Sequence, residues 1–194
     1  KTFGHNFIFD DYYVILKNQD LRSIKNFISD SYPGRPLREL SFMLDYKLFG
    51  LNPKFWHVQN CLIHSLNAWM IYVLLLSLSK SKPLAWMSSL IFMVHPIHVE
   101  VVAQTSHRKD SLCLLFMLVA FYFYVLARNR MSIPCFLIAF ICFVFALLSK
   151  QSAYAFPLII IGYEIVFLEN RLFNKIKHKY LLLGFFAILS SIIF

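Results

Sequence analysis

Residues 84–100 read LAWMSSLIFMVHPIHVE, and the fold turns on where such a stretch can live. Leu84 to Val94 carries no charge. As an α-helix it rises only about 16 Å, roughly half of a bilayer's ~30 Å hydrocarbon core. Two histidines and a glutamate then begin at membrane depth. Broken backbone and ionisable groups persist there only where they face protein or a wet cavity. Pro96 has no N–H to donate, so it ends the first helix and opens a second, with His95 near the cap. A metal site in this motif is disfavoured: on one helix His98 and Glu100 point to nearly opposite sides, and His95 lies across the break. A polar knot between helices, or contact with a polar substrate, fits these residues better.

The rest of the chain supports a lipid environment. Of its 194 residues 59% are hydrophobic and 15% charged, with 21 phenylalanines. A water-soluble domain is nearer half apolar and a quarter charged. Further apolar segments run about 58–79, 84–103, 111–127, 133–149, 152–168 and from 180 to 194, most near the ~20 residues a spanning helix needs. An all-α, polytopic transmembrane bundle is predicted. The formal charge of +9 is scattered by loop and forms no patterned face, so nucleic acid is not a partner. Cys61, Cys113, Cys135 and Cys142 sit in apolar stretches without metal-ligand spacing and read as packing residues.

Lysine and arginine set the sidedness. Lys80, Lys82, Arg128, Arg130, Arg171, Lys175, Lys177 and Lys179 occupy alternate gaps on one side, against Arg108, Lys109 and Lys150 in the short gaps opposite. The positive-inside rule makes the richer side cytoplasmic and places residues 1–57 outside. An outer N-terminal stretch without a signal sequence predicts a further transmembrane helix upstream. The start at Lys1 and the end inside an apolar run suggest a fragment of a larger protein.

Within residues 1–57, Leu21, Ile24, Phe27 and Ile28 make one apolar stripe at helical spacing. Leu37, Leu40, Leu44 and Leu48 make another, with Pro36 at a first helical position and Gly50 as the stop. Both are predicted to be amphipathic helices on the membrane surface. Asp10-Asp11 can supply a general base, alone or with a metal-binding neighbour, or can cap a helix through Tyr12 to Lys17. Arg35 and Arg38 stand at a helix start, where a guanidinium fork can grip phosphate, touch lipid headgroups or pair with Glu39. Arg108, Lys109 and Lys150, with His107, Asp110 and Gln151 beside them, can steady a phosphate leaving group or snorkel to headgroups. Asn60, His64 and Asn67 share one helix face and read as interhelical hydrogen-bonding groups.

In order, FIFDDYYVI, RPLRELSFMLDYKLFGLNP, NCLIHSLNA, HPIHVE, RKDSL and LLSK resemble the membrane region of bacterial tetratricopeptide-linked glycosyltransferases and the animal TMTC O-mannosyltransferases. Both belong to the protein O-mannosyltransferase group with the GT-C fold, and the resemblance covers about residues 3–168. It implies an inverting transfer of a hexose such as mannose from a polyprenyl- or dolichyl-phosphate donor to a protein hydroxyl or glycan acceptor. Asp10 takes the position of the general base with Asp11 beside it. Arg35, His95, His98, Glu100, Arg108, Lys109, Lys150 and Gln151 fall to donor phosphate and substrate. No cofactor is required by the resemblance, although a divalent cation, Mg or Mn, at Asp10 and Asp11 is compatible with it. The active face would be periplasmic in a bacterial inner membrane, or luminal in the endoplasmic reticulum. Gln151 stands where the family commonly has Glu and cannot take a proton. That departure keeps a degenerate scaffold open, beside a transporter or flippase for a polar or lipid-linked solute.

Overall fold

The structure is a computed structural model that describes residues 10–18, 21, 35–130 and 132–167. Among them there are helices and turns but no strand. The stripe through Ile24, Phe27 and Ile28 and the segment 180–194 lie outside the described residues.

The chain divides at Gln151 into two units. In the first, α1 (Pro36–Phe49) opens on Pro36 and closes at Gly50, whose φ of 60° favours glycine. Next, α2 (Pro53–Ser79) starts five residues before the apolar run. The Asn52 side chain caps it by accepting the Lys54 N–H at 3.2 Å, and Pro53 fills the first position. That Asn-Pro start is a local polar signal that hydropathy does not register. Lys80, in the left-handed region at φ 58°, ends α2, and Ser81 caps α3 (Lys82–Val94).

The helices α2 and α3 form an antiparallel hairpin. The Ser89 hydroxyl donates to the Ala68 carbonyl at 2.7 Å, and the Tyr72 and Trp86 rings lie 5.3 Å apart. At His95 the chain breaks as the proline predicts. A 3-10 turn (Pro96–His98) and the short α4 (Val99–Ala103) follow, bent 48° from α3. A second 3-10 turn (Thr105–His107) leads into α5 (Arg108–Arg130), which pairs antiparallel with α6 (Ile133–Ser149) through Phe116–Phe145 and Tyr124–Phe136 ring contacts.

Pro53–Ser79 and Thr105–Arg130 are each long and apolar enough to cross a membrane, and the bent pair Lys82–Ala103 makes a third crossing if counted as one span. A 3-10 turn (Gln151–Ala155) begins at the last residue of the first unit and enters α7 (Phe156–Phe167) of the second, where Tyr163 stacks on Phe167.

Helix α1 packs against α2, α5 and α6. It does so with its polar side inward: Arg38, Glu39 and Asp45 are buried around Phe42, while Leu40, Leu44 and Leu48 are exposed, Leu48 by 61%. In water this arrangement would be inside out. It suits a helix whose leucines meet lipid and whose charges close over the bundle's polar end.

Candidate functional site

Every candidate residue of the first unit gathers at the end of the bundle where α2 and α5 begin and α3 and α6 end. Three layers can be distinguished there.

The deepest layer is a buried knot. The Asp11 side chain is 0% exposed, and its carboxylate accepts the Thr105 N–H at 3.2 Å and the Ser106 N–H at 2.6 Å. It gives no side-chain cap to its own short helical turn, Tyr12–Leu16. Asp11 caps instead the helical segment that begins at Thr105, where unpaired N–H groups and the dipole favour an anion. Nearby, the fully buried Arg108 donates Nε to Asn60 Oδ1 at 2.8 Å, Nη1 to Asp45 and Nη2 to the Trp56 carbonyl at 3.2 Å. Its guanidinium lies 4.9 Å from the Phe42 ring centroid and 5.5 Å from that of Trp56. Burial pushes the Asp45 carboxyl above its ordinary range, against the opposing charge of Arg108. Asn60 also donates to the carbonyls of Val102 and Gln104. One guanidinium thus ties α1, α2 and α5 together.

The second layer is a half-buried rim. The His107 ring lies 3.7 Å from a Glu100 oxygen and 3.5 Å from one of Asp110, and Lys150 pairs with Asp110. Lys109 stands within electrostatic reach of Arg35, Arg38 and Lys150, with Asp110 as its acidic neighbour. Arg38 is itself taken by Glu39, Nε to Oε1 at 3.0 Å, and Glu39 also accepts from Asn18 at 2.8 Å. Arg35, Lys109 and Lys150 therefore form a cationic group drawn from three separate elements. Gln151 is exposed at the end of this unit.

The third layer is a cleft of about 220 Å³ beside the His95 break, lined by His64, Met93, His95, His98, Val99 and Val102 among others. His64 and His98 rings are 5.4 Å apart, and His95 and His98 rings 6.1 Å. Among the described residues no group of three His, Cys, Asp or Glu side chains is arranged to hold a metal ion.

The sequence profile of the dolichyl-phosphate-mannose-protein mannosyltransferases matches residues 36–194, four-fifths of the chain. The chain belongs to that family. Human protein O-mannosyl-transferase TMTC1 is 34% identical over 137 residues, which is 61% of this chain and 15% of the relative. Drosophila melanogaster Tmtc1 is 28% identical over 170 residues, 78% of this chain and 19% of the relative. Human TMTC4 is 33% identical over 155 residues, 64% and 21%. The chain thus spans about a fifth or less of the length of these relatives. No solved structure matches it.

In this family member the residues expected at the chemistry separate by burial. Asp10 is exposed, whereas Asp11 and Arg108 are buried. Both were expected near the reacting groups, and here their charges are engaged by the protein's own backbone and side chains. Each Asp11 oxygen accepts one backbone N–H. Asp45 and His64 were not singled out for the site. Asp45 had no local signal beyond an acid in an apolar helix, while His64 was visible only as a member of a polar helix face.

Proposed function

We propose that this chain forms part of the donor side of a membrane mannosyltransferase, acting at the outer or luminal face. The donor is mannose on a dolichyl or polyprenyl phosphate, and the acceptor is a protein hydroxyl. The observation that carries this reading is the cationic group Arg35–Lys109–Lys150, standing beside the segment that Asp11 clasps. Holding Asp11 against Thr105 and Ser106 ties Asp10, the preceding residue, to the segment that leads into Lys109.

In the reaction, the acceptor oxygen attacks the anomeric carbon and gives its proton to the Asp10 carboxylate. The bond from that carbon to the phosphate oxygen breaks, and the lipid leaves as a phosphate monoester. Its growing charge falls to Lys109, Lys150 and Arg35, in a half-buried setting where such charge counts for more than in bulk water. Attack opposite the leaving group inverts the anomeric centre. Arg108 acts as a positioning residue, fixing the start of α5 so that Lys109 faces the rim. No metal-bound step enters this scheme.

The test is transfer from a radiolabelled dolichyl phosphate mannose in membranes carrying the protein. Asp10→Asn should lower transfer by at least about a hundredfold, the usual scale for losing a general base. Undiminished transfer would remove Asp10 from the mechanism.

A further inference from the structure

We propose that His107 is a positioning residue for donor binding: through Asp110, the charge on its ring sets how freely Lys150 is offered to the lipid phosphate. This rests on the glycosyl-transfer reading and adds to it a residue that works through a neighbour.

The ring is anchored by backbone. His107 closes the 3-10 turn Thr105–His107, and its N–H donates to the Gln104 carbonyl at 3.3 Å. The Gln104 N–H in turn donates to the Glu100 carbonyl at 3.0 Å. Thr105 and Ser106, the two residues before the ring, are those that Asp11 clasps. Asp110 stands three residues on, in the first turn of α5, where side chains at i and i+3 are neighbours. The ring therefore meets one carboxylate on each side, Glu100 from α4 and Asp110 from α5.

The distances say what passes between them. Nε2 lies 3.7 Å from Glu100 and Nδ1 3.5 Å from Asp110, too wide for good hydrogen bonds. Charge is what acts across such gaps, and imidazole carries it only when both nitrogens are protonated. Histidine is the side chain that gains and loses this charge between about pH 5 and 8.

Asp110 is shared. Its Oδ2 faces His107, while its Oδ1 pairs with Lys150 at the end of α6. With the ring neutral, that carboxylate serves Lys150 and the adjacent Lys109 alone. With the ring charged, a third cation draws on it and Lys150 is held less tightly. The charged ring also adds to the positive group that Arg35, Arg38 and Lys150 build around Lys109. Both effects favour an arriving phosphate, one by loosening a lysine and the other by raising the potential that the anion meets.

The experiment uses the full-length protein in nanodiscs at about pH 6 and about pH 8, on either side of the ordinary histidine range. His107→Gln cannot take the charge, and His107→Lys keeps it throughout. The first readout is acetylation of Lys150 by an amine-reactive reagent, divided by that of the exposed Lys80 in the same sample. An amine held in an ion pair acetylates more slowly. The second readout is KM and kcat for dolichyl phosphate mannose, whose phosphodiester keeps its charge across this range.

From the lower to the higher pH, the acetylation ratio of the unaltered protein should fall about two- to fivefold and the donor KM should rise by a similar factor, the scale of a partly exposed charge pair. His107→Gln should hold both at their high-pH values, and His107→Lys at their low-pH values. At the higher pH, kcat should stay within about twofold in both variants, which separates positioning from a general loss of structure. A ratio that ignores pH, or that responds as strongly in His107→Gln, overturns the proposal whatever transfer does. If His107→Gln fails to fold, His107→Lys decides, and a pH response surviving there refutes the coupling. A ratio that responds while KM stays level in an active enzyme removes His107 from donor binding and leaves the glycosyl-transfer reading intact. If the unaltered protein transfers nothing from this donor, that reading falls and the role in donor binding falls with it, while acetylation still judges the link from His107 to Lys150.

Discussion

The Asp11 carboxylate accepts the backbone N–H of Ser106 at 2.6 Å across 95 residues of sequence. An acid at the N-cap of its own helical turn secures a distant one instead. The consequence is asymmetric: of two adjacent aspartates, one is structural glue and the other stays open to solvent.

That asymmetry should appear in stability. Asp11→Ala strands two buried N–H groups, and each unsatisfied donor costs about 1–3 kcal/mol. Asp10→Ala, at an exposed position, should stay within about 0.5 kcal/mol. Thermal unfolding of the purified protein in detergent compares them, and equal effects of the two variants would refute the clasp.

Arg108 and Asp45 should behave as one unit. Removing either alone leaves the other's charge buried without its partner, at about 3–5 kcal/mol. Arg108→Met with Asp45→Leu together should recover much of that loss, since an apolar pair of similar volume fits beside Phe42 and Trp56. A double-mutant cycle reads the coupling, and strictly additive losses would show the two do not interact.

The rim cations should act on catalysis with little effect on folding. Lys109→Met is expected to lower transfer about tenfold or more while leaving the melting temperature nearly unchanged, because the side chain is only half-buried and its charged neighbours include Arg35, Arg38 and Lys150. Arg35→Gln should show a smaller loss of the same kind. A large drop in melting temperature for Lys109→Met would instead make it a structural residue.

The outward leucines of α1 should report lipid. A brominated or spin-labelled lipid should quench a fluorophore at Leu44→Cys and spare one at Phe42→Cys, which faces the bundle. Replacing Leu44 and Leu48 with Glu should release this helix from the bilayer without disturbing the Arg108 knot. Efficient quenching by a water-soluble agent at position 44, with none from lipid, would contradict the membrane seat.

What the sequence disclosed and what it withheld follow physical lines. The break at His95–Pro96 was legible because proline's missing N–H is a local fact that no tertiary context restores. The face of Asn60, His64 and Asn67 was legible from spacing, and each side chain does hydrogen-bond another helix or its connecting segment: Val102 and Gln104, Met93, and Ser111. The stripe of α1 was legible as a stripe. Its periodicity alone does not say whether the apolar side meets core or lipid, and burial supplies that answer. The fate of Asp11 was not legible at all, since its partners are two backbone amides 94 and 95 residues away and amides carry no sequence signature. Arg108's partners were hidden for a related reason: a cation in an outer loop looks the same in sequence whether or not a buried carboxylate lies beside it.

The 48° bend after α3 divides one crossing into two unequal lengths. The helix before the bend has 13 residues and a length of about 20 Å, and only with Pro96–Ala103 added does the pair approach the ~30 Å of the hydrocarbon core. The interruption therefore falls inside the bilayer rather than at its edge. Backbone freed at that depth is tolerated only where protein or water covers it. A crossing built this way would give water an entry on the side where the chain breaks.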